Sequence, residues 1–269
     1  MLIAIHPTTY RRGGFLAHGV LKGGLFIYTL TNFESRATID VDFLLRGYSN
    51  SMDNVKDLIY KIIDTPTGND YIEMSAKSFE EISPQRKYHG ISTQIIAQIK
   101  NVRVPFNIDI GVGDIIVPRA EERIISTQLP DFESPIIKTY SLESTIAEKF
   151  DAILQRLELT GRMKDFYDIY YLSKTFDFDG MKLQSAVFET LQRRETPYDK
   201  DSFERVITLA DNEDIKKRWR YFLRTIKDDT LEFSFVITEI KTFLEPVFNA
   251  IAGESVWQKK WFCRELKWL

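Results

Sequence analysis

A chain of 269 residues that is 43% hydrophobic and 13% aromatic is long enough for one large domain or two modest ones with well-filled cores. Its formal charge of −3 excludes a general nucleic-acid coater. No stretch reaches transmembrane length, and the apolar start from Met1 to Pro7 is too short for a signal peptide. Its single cysteine, Cys263, excludes an intramolecular disulfide framework and fits a reducing cytoplasm. The histidines His6, His18 and His89 form no metal-spaced cluster.

In chain order, Val20 and Leu21 end an apolar run, Gly23 and Gly24 break it, and Leu25 to Leu30 reads as helix. A helix entered through glycines presents unpaired backbone N–H groups to an anion, and glycine lets the backbone approach phosphate oxygens closely. Next, Ile39, Val41 and Phe43 alternate with Asp40 and Asp42, the period of a half-buried strand, expected over Thr38–Leu45. Alternation sets Asp40 and Asp42 on one face, roughly 7 Å apart. A helix is expected over Met52–Ile63, and strands over Tyr71–Ala76, Gly90–Ile99, Val104–Ile110 and Arg123–Ser126. In the Val104–Ile110 strand region Phe106, Ile108 and Ile110 share one face, which leaves Asn107 and Asp109 on the other. If the Asp42 and Asp109 strands are neighbours, three carboxylates converge into an all-oxygen site suited to Mg²⁺ or Mn²⁺.

From about Ile136 the pattern is read as helical to the end, with a loop at Pro197 and Asp199–Asp201. Ser141 is the expected N-cap of a helix running to about Leu159, and Leu142, Ile146, Lys149 and Ile153 fall on its inward stripe. A lysine on such a stripe needs an anion: a nucleotide phosphate, or one of the aspartates. Asp165 and Asp168 follow as an i, i+3 pair, with Arg162 and Lys164 beside them. The densest basic stretch is Lys216–Lys227, where Arg220, Arg224 and Lys227 share a helix face. It reads either as a solvated face over a core stripe or as an RNA phosphate contact. The tail tryptophans Trp257, Trp261 and Trp268 read either as packing or as stacking surfaces.

Two strings carry a resemblance. Lys22-Gly23-Gly24 followed by Arg36, Thr38, Asp40 and Asp42, and Arg162, Lys164, Asp165 and Asp168 after the Tyr140–Lys149 segment, resemble the AbiEii/AbiGii toxin family of the polymerase-β-like nucleotidyltransferase superfamily. Leu25 stands where a hydroxyl residue is common in that family. The resemblance implies an α+β fold, with a mixed-sheet nucleotidyltransferase core at 1–135 and a mainly helical half at 136–269 closing the nucleotide cleft. It implies Asp40, Asp42 and Asp109 as metal ligands, Lys149 and Asp165 as further catalytic residues, and Lys22, Gly23, Gly24, Arg36, Thr38, Lys149 and Asp168 as nucleotide-binding residues. The implied activity is transfer of a nucleoside monophosphate from a nucleoside triphosphate to a hydroxyl, with Mg²⁺ or Mn²⁺, and the tRNA 3′ end as acceptor. The implied partner is a separately encoded antitoxin, a DNA-binding repressor. The rival readings are a protein or small-molecule acceptor, a metal-dependent nuclease, and a non-catalytic module on the same fold.

Overall fold

A computed structural model describes residues 18–49, 51–65, 71–82, 90–128 and 134–269. His6 and His89 lie outside the described residues. The chain divides into two compact units, one drawn from Met1–Asp114 and Ala120–Tyr140, the other from Ile115–Arg119 and Ser141–Leu269.

The first unit is built on a mixed seven-stranded sheet. Its strands are β1 (Gly19–Lys22), β2 (Val41–Leu45), β3 (Glu73–Ile82), β4 (Gly90–Ile99), β5 (Val102–Val112), β6 (Glu121–Ile124) and β7 (Ile136–Thr139), in the spatial order β3-β4-β5-β2-β1-β7-β6. β2 runs parallel to β5 and β1 parallel to β7, while the other neighbours are antiparallel. Helix α1 (Gly23–Leu30) leaves β1 directly and buries Leu25, Phe26 and Ile27. Helix α2 (Met52–Ile63) starts where the Ser51 side chain accepts a hydrogen bond from the Asn54 N–H, and it buries Val55, Leu58 and Ile59. The central strands are the most apolar: Leu21, Leu44 and Ile110 are fully buried.

Four sequence expectations change here. The strand at Asp42 begins at Val41, not Thr38, and Ile39 is 67% exposed, so the apolar alternation does not extend back to it. Ile136–Thr139 is strand β7, not the beginning of helix. The strand expected at Tyr71–Ala76 is Glu73–Ile82, and that at Arg123–Ser126 is Glu121–Ile124.

The second unit is mainly helical. Helix α3 (Leu142–Arg156) is capped by Ser141, whose hydroxyl accepts from the Ser144 N–H and donates to the Val117 carbonyl. The helix ends at Arg156 and passes into a 3₁₀ turn, Leu157–Leu159. Then come α4 (Met163–Thr175), α5 (Gly180–Arg193), α6 (Ser202–Ile207), α7 (Glu213–Thr225) and α8 (Phe233–Ala252). Their core is aromatic: Phe150, Phe203 and Phe248 contact one another, and Phe166 and Trp219 both meet Phe233. The C-terminal segment is not helical. Strands β8 (Phe178–Asp179), β9 (Lys260–Phe262) and β10 (Lys267–Trp268) form a small sheet in the order β10-β9-β8. Its tryptophans pack: Trp261 is buried and donates to the Ser173 carbonyl at 2.6 Å, and Trp268 donates to the Phe243 carbonyl at 3.0 Å while stacking on that ring.

Candidate active site

Strand register creates a row of four side chains across the first sheet. Lys22 of β1 pairs with Asp42 of β2, Asp42 with Asp109 of β5, and Asp109 with Ser92 of β4. Directly paired residues share a sheet face, with Cβ atoms about 5 Å apart. Two carboxylates at that separation repel unless positive charge reaches them. Lys22 does not neutralise Asp42 by pairing: its ammonium is 2.9 Å from Asp114 and lies over the Tyr140 ring at 5.2 Å. The Ser92 hydroxyl donates to Oδ1 of Asp109 at 2.5 Å. The Asp42 carboxylate has no hydrogen-bond or ion-pair partner among the described residues.

The glycines are explained by the same carboxylate. Gly23 has φ +69°, and a Cβ there would collide with Oδ2 of Asp42. The backbone conformation and the close approach of Asp42 both require glycine. Beside it, a Cβ on Gly24 would stand 3.1 Å from the Thr38 hydroxyl and 3.3 Å from Nη2 of Arg36. Lys22, Gly23, Gly24, Arg36, Thr38 and Asp42 therefore surround the first turn of α1. That turn carries no acidic residue of its own and no side-chain cap, so its leading N–H groups are available to an anion, with the Asp42 carboxylate standing beside them at Gly23. Leu25, at 2% exposure, is buried in the core.

Asp40 is placed differently from the expectation. It is half-buried and lies just before β2, outside the hydrogen-bonded ladder that begins with Val41 opposite Ile108. Among the described residues no three His, Cys, Asp or Glu side chains form a group able to hold an ion by themselves. The strands are neighbours as expected, yet the convergence is a pair, Asp42 and Asp109, because the alternation is interrupted where the ladder stops. A pair of carboxylates is a donor set that fits Mg²⁺, which is commonly held by one or two carboxylates while substrate phosphates and water complete its shell.

Lys149, Asp165 and Asp168 form a second charged cluster, within the helical unit. The Lys149 ammonium, on α3, is 2.6 Å from Asp168 and 3.3 Å from Asp165, both on α4. All three residues are buried, Asp165 completely. Arg162 closes the group, with Nε 2.5 Å from Asp165. Burial by itself would push the Asp165 carboxyl up. The charges of Lys149 and Arg162, with their hydrogen bonds, outweigh burial and hold it below the ordinary aspartate value. The inward lysine thus meets two aspartates.

Ser92 and Asp114 were not singled out in the sequence. The signal for Ser92 exists only in the β4–β5 register, since the serine is unremarkable by itself. Asp114 pairs with a lysine at the far end of the sheet-forming segment, so no local spacing marks it.

A glycine-opened helix start beside paired strand carboxylates defines a nucleotide-handling class of enzyme. Its particular form comes from comparison with known proteins: the chain belongs to the family described as nucleotidyl transferase AbiEii toxin of type IV toxin–antitoxin systems, whose model matches residues 10–251. It is accordingly a nucleotidyltransferase toxin. No curated protein matches the chain. Among solved structures, it is similar to a candidate nucleotidyltransferase of Helicobacter pylori, at 12% identity and a TM-score of 0.48, covering 94% of this chain and 90% of that one. It is also similar to the nucleotidyltransferase toxin MenT4 of Mycobacterium tuberculosis H37Rv, at 14% identity and a TM-score of 0.48, covering 92% of each chain. No helix among the described residues is long and apolar enough to cross a membrane.

Proposed function

We propose that the protein transfers the nucleoside monophosphate of a nucleoside triphosphate to a hydroxyl at the 3′ end of tRNA, using Mg²⁺ or Mn²⁺ held by Asp42 and Asp109. The supporting observation is the register-matched row Lys22–Asp42–Asp109–Ser92 set against Gly23. The leading N–H groups of α1 at Gly23 and Gly24 bind phosphate oxygens, and Arg36 and Thr38 flank them. Lys22 contributes positive charge beside the row. A bound divalent cation supplies charge neutralisation on the triphosphate and on the developing leaving group.

Asp109 takes up the proton of the acceptor hydroxyl. The hydroxyl oxygen forms a bond to the α-phosphorus, the bond to the bridging oxygen breaks, and pyrophosphate leaves. Ser92 orients Asp109 for that step through its hydrogen bond. Positioning and electrostatics carry such a reaction, since phosphoryl chemistry asks little covalent work of the protein. The partner in this reading is an antitoxin that represses its own operon by binding DNA.

The test is incorporation from each nucleoside triphosphate, radiolabelled at the α-phosphate, into total RNA and total protein. Label in a tRNA-sized band, lost in the Asp42→Asn protein, supports the reading and identifies the nucleotide. Label in protein replaces the acceptor. Absence of label in both, from folded protein supplied with Mg²⁺ and Mn²⁺, overturns the reading.

A further inference from the structure

The outward face of α7 is unlike the other charged surfaces of the helical unit. Ile215, Trp219 and Leu223 are buried on one side of this helix. Lys217, Arg220, Tyr221 and Arg224 are all exposed. Their spacings of three and four residues make them mutual neighbours, a contiguous patch on the opposite side. The other cations of the helix are engaged. Lys216 pairs with Glu213 at 2.9 Å and Lys217 with Asp214 at 3.2 Å. Arg218 donates to the carbonyls of Glu158 and Thr160 at 3.0 and 2.8 Å. The Arg220 and Arg224 side chains make no hydrogen bond or ion pair with any described residue, although the Arg220 charge helps to lower the Glu213 carboxyl. Between them stands Tyr221, 71% exposed. The helix ends at Thr225, so Lys227, expected to extend this face, lies in the turn beyond it with φ +58°.

Favourable interaction with the helix dipole accounts for a cation in the last turn, such as Arg224. It accounts neither for Arg220, a full turn earlier, nor for a large aromatic ring left in water beside it. Guanidinium groups in no direct ion pair, interleaved with an exposed ring, match a ligand that has both phosphates and stackable faces. In a chain of net charge −3 this is a local concentration of positive charge against the global balance.

We infer that Arg220, Tyr221 and Arg224 on α7 form a contact surface for unpaired RNA, with the arginines on phosphates and the tyrosine stacked on a base. The inference rests on the reading above that the acceptor is RNA, and it places a binding surface on residues that reading does not use. Duplex RNA offers the phosphates without an accessible base face, so the surface prefers a single strand.

The experiment measures binding of a fluorescein-labelled single-stranded RNA, and of a duplex of the same sequence, by anisotropy across a salt series. It compares the wild type, Arg220→Gln/Arg224→Gln and Tyr221→Ala, each checked for an unchanged melting temperature. Each lost phosphate contact flattens the dependence of log affinity on log salt by about 0.7 for a single strand. Tyr221→Ala weakens single-strand binding by about five- to a hundred-fold and abolishes the preference over duplex. RNA binding and RNA labelling at wild-type level with an unflattened salt slope in the double variant overturns the inference and leaves the acceptor reading standing. A wild-type protein that labels only protein and binds neither RNA overturns both. Loss of an acidic protein partner in the double variant, with RNA binding unaltered, assigns the face to that partner and overturns the inference.

Discussion

Two groups of charged side chains, one in the sheet unit and one in the helical unit, are built on opposite principles. In the sheet unit, Asp42 and Asp109 are set side by side by strand register, both half-buried, and the one lysine in their row pairs elsewhere. In the helical unit, Lys149, Asp165 and Asp168 are buried and mutually compensated, and Arg162 adds a further cation at Asp165. The first arrangement is less stable without a ligand than with one, because it holds like charges together. The second is complete as it stands, and its charges stabilise only as a set. Preorganised repulsion is what a cation-assisted site requires, and internal neutrality is what a structural lock requires. Substitutions should therefore separate the two sites by what they damage.

The largest expected effect is on activity at the sheet site. Asp42→Asn or Asp109→Asn should lower nucleotide transfer by about 10²–10³-fold or more, the usual cost of removing one preorganised electrostatic group. Asp42→Asn should not lower the melting temperature of ligand-free protein, since it removes one of two repelling charges. A matching loss of stability would show that the pair is not the strained site described here. At the helical site, Lys149→Met leaves two buried aspartates without their shared cation, which costs about 3–5 kcal/mol. Thermal unfolding should register it as a fall of roughly ten degrees or more. An unchanged melting temperature in Lys149→Met would break the comparison from the other side, by showing that solvent already reaches the cluster.

Much of the sheet site was legible because period-two alternation is local. Val41, Asp42 and Phe43, and then Ile108, Asp109 and Ile110, show which side each aspartate takes without any knowledge of the partner strand. Periodicity does not show where hydrogen bonding stops. Ile39 continues the apolar alternation in sequence, yet it is exposed because the parallel ladder with β5 begins one residue after Asp40. Lys149 was marked by its inward position, and its two anionic partners became visible only once α3 and α4 were packed. Strand β7 has four residues and β8 only two, too few to show any period, so the pattern after Ile136 reads as helix throughout. Ser92 and Asp114 act through pairings set by tertiary register, for which the sequence carries no spacing signal.

Ser92 allows a smaller and sharper test of the sheet site. Its hydroxyl is the one group of the four-residue row that is neither charged nor expected to touch phosphate, and it donates to Asp109. Ser92→Ala should leave the fold intact and raise the Mg²⁺ concentration for half-maximal activity by about 10–100-fold, the usual effect of removing a group that orients a metal ligand. The effect should be partly restored by Ser92→Thr, which keeps the hydroxyl. A change confined to the maximal rate, with no change in metal requirement, would place Ser92 outside the ligand's support.

The smallest effect expected is one of pH, and it belongs to the helical cluster alone. Lys149 and Arg162 hold the Asp165 carboxyl below its ordinary value, so the folded state binds that proton less readily than the unfolded chain does. A depressed carboxyl contributes stability that is fully present above the unfolded-state value, about 3.9 for aspartate, and that is lost as pH falls through the lower folded-state value. Denaturation midpoints should therefore be flat from neutrality to about pH 5 with respect to this group, then decline more steeply in wild type than in Asp165→Asn. The variant should begin from a lower stability at neutral pH, because Lys149 and Arg162 lose a charged partner. The two curves should converge as the wild-type carboxyl is protonated. Parallel curves down to strong acid would mean that Asp165 contributes no charge-dependent stability, and that the compensation around Lys149 rests on Asp168.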